Sequence, residues 1–193
     1  MTTSFESLLA RRLGDRRAAG RPALIPFVTA GHPSPAATRD LLAALAPVAD
    51  AVEVGIPFSD PLADGPVIQR ASHEALAGGM TPAGVLDLVA ATRPPVPVVL
   101  FSYLNPVLQY GVTAFLRDAA DAGASGLLLT DLPVGADPAI EDEVRASPLD
   151  LVPLAAPTTT PARLRRIGAT AQGFVYLVAR LGVTGARADL DAG

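Results

Sequence analysis

Six short apolar runs recur along the chain, and segments with helical spacing separate them. The runs are rich in β-branched and aromatic residues and comprise 23-ALIPFVTA-30, 51-AVEVGI-56, 96-VPVVLFSY-103, 126-GLLLT-130, 151-LVPLAA-156 and 174-FVYLVA-179. Strands that are apolar on both faces and alternate with helices are typical of βα units around a parallel sheet. The alternation therefore predicts either an open doubly wound sheet or a closed (β/α) barrel.

Helix boundary signals between the runs agree with this pattern. Ser34-Pro35 and Thr81-Pro82 each combine an N-cap residue with proline at the first helical position, and Gly123 has the place of a C-cap. The N-terminal twenty residues also indicate a short amphipathic helix. The clearest helical segments are residues 36–49, 81–93 and 113–123.

The ends of the predicted strands favour the barrel. No G-x-G-x-x-G motif follows the first run, which weakens the dinucleotide-binding interpretation. Barrel enzymes carry their functional groups at the carboxyl ends of the strands. Here these places hold Thr29, Glu53, Tyr103, Asp131, Pro157 and Arg180.

We predict a TIM (β/α)8-type barrel that forms a single domain over residues 1–193. A complete eight-unit barrel typically needs about 250 residues. About six βα units are recognisable before the chain stops at Gly193. We therefore expect the last two units to be missing and the barrel domain to be incomplete at its C-terminus.

The composition excludes several kinds of chemistry. The chain has no cysteine, and all fifteen basic residues are arginine. Thiolate nucleophiles, Schiff-base lysines and the phosphate-binding lysine of a P-loop are therefore ruled out. His32 and His73 do not have metal-ligand spacing, so we predict no metal site. Catalysis would have to use carboxylates, hydroxyls, arginine or backbone groups.

The charge and the hydropathy pattern limit the partners. A net charge of −4 without a basic stripe argues against nucleic acid. No apolar run approaches the roughly 18 residues that a membrane span requires. The N-terminus lacks a signal-peptide core, so we expect a cytoplasmic protein that acts on a small-molecule substrate.

Glu53 lies inside an apolar run, where an unpaired carboxylate costs several kcal/mol. One interpretation is a structural glutamate that pairs with an arginine or accepts from backbone amides. The other is a proton carrier, because burial raises a carboxyl pKa toward neutrality and suits a group that gives and takes a proton.

The segment after Glu53, 57-PFSDPLADGP-66, is acidic and stiff. Asp60 and Asp64 could be ordinary turn formers, since Asp-Pro and Asp-Gly are common loop dipeptides. Three prolines restrict the backbone, so we expect a partly pre-ordered loop. A stiff loop beside a buried glutamate at a strand's carboxyl end also suits an acid–base pair.

Four motifs in this order are similar to those of the tryptophan synthase alpha subunit family. They are 25-IPFVTAG-31, 53-EVGIPFSDPLADGPVIQ-69, 101-FSYLNPV-107 and 182-GVTG-185. The centre of the second, E-x-G-x-P-F-S-D-P-x-A-D-G-P, is long and rich in uncommon choices. The resemblance covers essentially the whole chain. It implies a (β/α)8 barrel that cleaves indole-3-glycerol phosphate to indole and glyceraldehyde 3-phosphate.

The resemblance implies roles for individual residues. Glu53 would be the mobile proton carrier and Asp64 the second catalytic carboxylate. Thr184 would close over the site and touch Asp64. The residues that would line the indole pocket are Phe27, Tyr103, Leu128 and Tyr176.

The resemblance also implies a partner. The indole passes to a beta subunit that carries pyridoxal phosphate, within an α2β2 heterotetramer, so no cofactor is expected on this chain. Asp60 with Pro61, and Asn105 with Pro106, match the surface that faces the beta subunit. The family's last two βα units carry most of its phosphate-binding loops, and we expect these groups to be absent here.

Two alternatives stay open at this point. The chain could be a catalytically incompetent fragment that acts only as an interaction or regulatory partner of the beta subunit. It could also be another phosphate-handling barrel enzyme with a similar loop, although the length of the matched motif argues against this.

Overall fold

In the computed structural model, residues 7–179 are described, and they contain seven short strands and eight helices. The strands are β1 (Phe27–Thr29), β2 (Val52–Gly55), β3 (Val98–Ser102), β4 (Gly126–Leu129), β5 (Asp150–Leu151), β6 (Leu154–Ala155) and β7 (Tyr176–Leu177). The helices are α1 (Leu8–Ala18), α2 (Pro35–Leu45), α3 (Pro66–Ala77), α4 (Pro82–Thr92), α5 (Leu104–Tyr110), α6 (Val112–Ala122), α7 (Pro138–Ala146) and α8 (Pro161–Thr170).

The strand order identifies the architecture. Strands β1 to β5 pair in parallel in the order in which they occur along the chain, and β6 pairs in parallel with β7. A doubly wound sheet reverses its order at a switch point, and this sheet has no reversal among residues 7–179. The strands form the curved wall of a (β/α) barrel, as predicted.

The predicted run 151–156 divides into two strands at Val152 and Pro153. The Val152 N–H donates to the Leu127 carbonyl at 2.9 Å, on the β4 side. Pro153 has no N–H to donate, but its carbonyl accepts from the Tyr176 N–H at 2.9 Å, on the β7 side. The segment that contains β5 and β6 therefore pairs with β4 on one side and with β7 on the other. If β5 and β6 are counted as one strand, the barrel wall has six consecutive parallel strands.

Two apolar layers lie on opposite faces of this wall. Side chains that alternate outward, such as Val52, Val54 and Leu100, pack beneath the helices in the larger core cluster. Side chains that alternate inward form a second cluster with partly buried aromatic residues around it. The buried members of this inner layer are Leu9, Ala51, Val99, Leu128 and Val152.

The helix signals in the sequence are confirmed. Ser34 and Thr81 accept hydrogen bonds from Ala37 and Gly84 N–H groups, and Gly123 ends α6 with φ +97°. Helix α2 ends at Leu45 instead of residue 49. No bounds were predicted for helix α3, which begins at Pro66 directly after the segment 57–65.

No single helix in the described part of the chain is long and apolar enough to cross a membrane. Helices α3 and α4 reach that length and apolarity only together, and they are bent by 93° where they meet.

Helix α1 closes the inner layer at the amino ends of the strands. A Cβ atom on Gly126 would lie 3.3 Å from Leu9, and one on Gly173 would lie 2.7 Å from it. The Leu9 side chain therefore fills the space between these two glycines and is fully buried. At the same end of the barrel, the Ser7 hydroxyl donates to the buried Asp150 carboxylate.

A buried carboxylate, Asp50, fixes α1 to the start of β2. Its carboxylate accepts from Arg16 Nε at 2.6 Å and from the Leu24 N–H at 3.0 Å, and Arg12 Nε lies 3.4 Å away. Burial alone would raise the pKa of Asp50, but the Leu24 N–H and the two guanidinium groups hold that pKa below its usual value.

We expect Asp50→Asn to lower the free energy of unfolding by about 3 kcal/mol at pH 7, because it leaves Arg16 without its buried partner. The folded-state pKa of Asp50 is depressed, so its stabilisation is present above the ordinary carboxyl pKa of about 4 and is lost as the pH falls below it. Urea unfolding at pH 7 and pH 3, followed by circular dichroism, measures both effects.

The matched control is Asp40→Asn, on the exposed face of α2. It should change the free energy of unfolding by less than about 0.5 kcal/mol. Equal losses for the two variants, or a loss for Asp50→Asn that does not depend on pH, would contradict the proposed anchor.

Candidate active site

Glu53 faces the inner layer of the barrel wall. It lies between the outward-facing Val52 and Val54 in β2, pairs in register with Phe27 on one side and Val99 on the other, and is 5 % exposed. No side chain among residues 7–179 hydrogen-bonds its carboxylate, and desolvation raises its pKa to about 7. An arginine-paired structural role finds no support in this part of the chain.

Asp64 is held by Tyr103, which lies just beyond the carboxyl end of β3. The Tyr103 hydroxyl donates to the Asp64 carboxylate at 3.1 Å and accepts from the Ala63 N–H at 2.8 Å. The Phe58 ring packs on the Tyr103 ring with centroids 5.1 Å apart. Burial raises the pKa of Asp64, and the hydrogen bond from Tyr103 opposes that rise.

The first turns of α3 hold the acidic loop, which we define as residues 57–65. Gln69 donates from Nε2 to the Asp64 carbonyl at 2.9 Å. His73 Nε2 lies 3.1 Å from the Ser59 carbonyl. Together with its prolines, these contacts fix the loop backbone from the helix that follows it.

A row of aromatic rings lines the interior beside Glu53. The Phe27 and Phe101 rings meet edge to face at 5.3 Å, and the Phe101 and Tyr176 rings do so at 5.8 Å. Gly55 makes room for this row, because a Cβ atom there would lie 2.5 Å from Phe27 Cζ. The row is an apolar wall against which a flat aromatic ligand can stack.

Tyr176 relates the two carboxylates to each other. Burial raises the pKa of its hydroxyl, and the negative charges of both Glu53 and Asp64 raise it further. Glu53 faces the interior in register with Phe27, and Asp64 is held by the Tyr103 hydroxyl just beyond the carboxyl end of the neighbouring strand β3. An acid with a pKa near neutrality and a second carboxylate at the same end of the strands are an arrangement suited to proton transfer.

Of the two remaining predicted pocket residues, Leu128 and Thr184, only Leu128 lies within the described part of the chain. Leu128 is fully buried in the inner layer, in register with Phe101. Thr184 lies outside the described residues. Sequence reasoning missed Phe101 and Gly55. Alternation along β3 and β2 could have placed both on the inner face, because each lies two residues from an inward-facing neighbour.

The residues predicted for the partner surface are partly covered by this chain itself. Asp60 and Asn105 are exposed, whereas Pro61 and Pro106 are buried. The prolines therefore shape the backbone of the acidic loop and of α5, and the two polar side chains are presented to solvent.

Within residues 7–179, no group of three or more His, Asp or Glu side chains is arranged to hold a metal ion. His32 Nδ1 lies 3.2 Å from the Glu74 carboxylate, so its nearest acidic partner is neither Glu53 nor Asp64.

Comparison with known proteins gives a consistent result. The family model described as tryptophan synthase alpha chain matches residues 13–192. The tryptophan synthase alpha chain of Halorhodospira halophila is 51 % identical over 191 residues, which cover 97 % of this chain and 70 % of that protein. The protein of the same name from Carboxydothermus hydrogenoformans is 49 % identical and is covered over 71 % of its length.

Solved structures agree with the sequence comparison. The structure of Mycobacterium tuberculosis tryptophan synthase superposes with a TM-score of 0.88 at 39 % identity, covering 95 % of this chain and 72 % of that one. Tryptophan synthase subunit alpha from Legionella pneumophila superposes with a TM-score of 0.83 at 38 % identity, covering 89 % and 67 %. This chain thus spans about 70 % of the length of these relatives.

We expect Glu53→Gln to stabilise the chain above neutral pH. The folded-state pKa of Glu53 is raised to about 7, so ionisation of the folded state costs free energy once the pH exceeds the unfolded-state value. At pH 8 the variant should gain about 3 kcal/mol in the free energy of unfolding, and at pH 4 almost nothing, since each pKa unit corresponds to about 1.4 kcal/mol. Urea unfolding at both pH values tests this; equal effects would show that Glu53 titrates normally.

Proposed function

This chain belongs to the tryptophan synthase alpha chain family, and we propose that it acts as a carbon–carbon lyase of tryptophan biosynthesis. It cleaves indole-3-glycerol phosphate to indole and glyceraldehyde 3-phosphate. The observation that supports the catalytic assignment is the buried Glu53 beside the aromatic row, with Asp64 fixed by Tyr103 at the carboxyl end of the neighbouring strand β3.

The inner wall suits the indole ring of this substrate. Phe27, Phe101 and Tyr176 offer ring edges and faces at mutual distances of 5.3 and 5.8 Å. Leu128 supplies apolar surface beside Phe101, on the neighbouring strand β4. Asp64 is the hydrogen-bond acceptor for the indole N–H, because its carboxylate is held in place by Tyr103 at 3.1 Å.

Cleavage of the carbon–carbon bond requires an acceptor for its electrons, and the indole ring provides one. The carboxylic acid of Glu53 gives its proton to ring carbon C3, which produces an indoleninium cation with its positive charge centred on the ring nitrogen. The bond from C3 to the glycerol carbon then breaks, and its electron pair restores the aromatic ring. The hydroxyl on the departing carbon becomes the aldehyde and returns its proton to Glu53.

The two carboxyl groups have different environments, as these roles require. Glu53 is desolvated and has no described hydrogen-bond partner, so at neutral pH its acid and base forms are similarly populated. Asp64 accepts a hydrogen bond from Tyr103, which favours its ionised form. The Asp64 negative charge stabilises the positive charge that develops on the protonated indole.

The family name implies a beta subunit as partner, and we propose the α2β2 heterotetramer as the assembly. Asp60 in the acidic loop and Asn105 in α5 are exposed near the carboxyl ends of β2 and β3. A partner that covers this face would receive indole where it is released. We propose that pyridoxal phosphate belongs to that partner and that the alpha reaction uses no cofactor.

We expect Glu53→Gln to lower kcat by about 10²–10⁴-fold with little change in KM, because a proton carrier acts in the transition state. Indole release from indole-3-glycerol phosphate, measured with and without a beta subunit, tests this. Glu74→Gln, on the exposed face of α3, is the matched control and should keep wild-type kcat. If Glu53→Gln turns over at a near-normal rate, Glu53 is structural. If the wild-type chain is inactive with and without the beta subunit, it serves only as an interaction partner.

We expect kcat/KM to fall as the pH rises through about 7, because the reaction begins with Glu53 in its protonated form. The profile should be measured for the wild type and for Glu53→Gln, whose residual activity should lack this limb. A flat wild-type profile between pH 6 and 9 would contradict the role of Glu53 as the initial acid.

A further inference from the structure

Helix α5 begins without a cap from its own N-cap side chain. The N-cap residue is Tyr103, whose hydroxyl is bound to Asp64 and Ala63 and makes no bond to the helix. Instead, Asp131 provides the acceptor: its Oδ1 receives the Leu104 N–H at 2.7 Å. Asp131 lies two residues beyond the end of β4, so the loop that follows the neighbouring strand caps this helix.

This bond fixes the backbone of Tyr103. The Leu104 N–H belongs to the peptide plane that follows the Tyr103 Cα atom, and holding that plane sets the ψ angle of Tyr103. On the preceding side, the Ser102 carbonyl accepts from the Thr130 N–H at 2.9 Å and from its hydroxyl at 3.3 Å. Residues 130 and 131 therefore hold the main chain on both sides of Tyr103.

We propose that Asp131 is a positioning residue for the lyase reaction, acting through Tyr103 on Asp64. The inference rests on the function proposed above. Asp131 accepts a hydrogen bond from the Leu104 N–H, and this bond fixes the orientation of the Tyr103 side chain. The Tyr103 hydroxyl in turn holds the acidic loop through its hydrogen bonds with Ala63 and Asp64. Asp131 itself is exposed and lies outside the aromatic wall.

Asn105 is the second residue of α5, directly after Leu104, so a shift of the helix start would also move a residue proposed for the partner surface. Tyr103 and Asp64 belong to the active site of this chain itself. Because the proposed path from Asp131 runs through these two residues, the effect on activity should be present with and without the beta subunit.

The first experiment compares Asp131→Ala, Asp131→Asn and a matched control. Asp137→Ala removes the N-cap of α7 in the same loop, where Asp137 accepts from Ala139 at 3.1 Å and Ile140 at 3.2 Å. We expect Asp131→Ala to lower kcat by roughly 10–100-fold with KM within about threefold, since a misplaced catalytic group costs rate. Asp131→Asn keeps an acceptor oxygen and should recover most of that loss, and Asp137→Ala should stay within about twofold of wild type.

The second experiment asks whether Asp131 acts through Tyr103. Tyr103→Phe removes the hydroxyl, so Asp131→Ala should add little in that background, a coupling that a double-mutant cycle measures. Because Asp64 has to be ionised to accept from the indole N–H, kcat/KM should also fall on the acid side of the profile. Loss of the Tyr103 bond should move this acid limb to higher pH, because that bond lowers the pKa of Asp64. Independent effects that multiply, or an acid limb that does not move, would overturn the proposal.

A third measurement does not depend on activity. The Ala63 N–H donates to the Tyr103 hydroxyl, so its hydrogen exchange should accelerate in Asp131→Ala and not in Asp137→Ala. Unchanged exchange at Ala63 would overturn the link from Asp131 to the loop. Faster exchange in a chain whose wild type cleaves no substrate would instead overturn the proposed function and leave Asp131 without a catalytic role.

Discussion

The burial of Glu53, which has no charged partner among residues 7–179, is the constraint on which the rest of the site depends. The inner layer around it is apolar, and Val99 and Phe27 flank it in register. Such a position disfavours the ionised form and raises the pKa of Glu53 to about 7. Burying this acid lowers the free energy of unfolding when the acid is ionised. The larger apolar core beneath the helices and the contact of Asp50 with Arg16 in α1 help to offset that loss.

The acidic loop supplies a second carboxylate, Asp64, in a more polar environment than strand β2 offers. A second carboxylate inside β2 would share the apolar layer, whereas Asp64 in the loop reaches solvent on one side and the Tyr103 hydroxyl on the other. Loops are otherwise the mobile parts of a barrel, and this one is restrained by prolines, Gln69 and Tyr103. A buried acid on a strand and a second carboxylate on a fixed loop thus have different environments, one desolvated and one hydrogen-bonded to Tyr103, which suits general acid–base catalysis.

Much of this arrangement could be predicted from the sequence, because it depends on local patterns. The apolar runs, the caps at Ser34 and Thr81, and the placement of Glu53 within a strand all follow from neighbouring residues. Contacts between distant residues could not be predicted in the same way. The bond from Asp131 to Leu104 spans 27 positions and depends on the register of β3 against β4, and Phe101 joins Tyr176 only because the wall curves.

The most direct test is a crystal structure of the chain with an uncleavable analogue of indole-3-glycerol phosphate that lacks the glycerol hydroxyl next to the ring. The account predicts the indole ring against Phe27, Phe101 and Tyr176, its N–H about 3 Å from the Asp64 carboxylate, and ring carbon C3 within about 4 Å of the Glu53 carboxyl group. An indole ring bound elsewhere, or a Glu53 side chain directed away from C3, would contradict it.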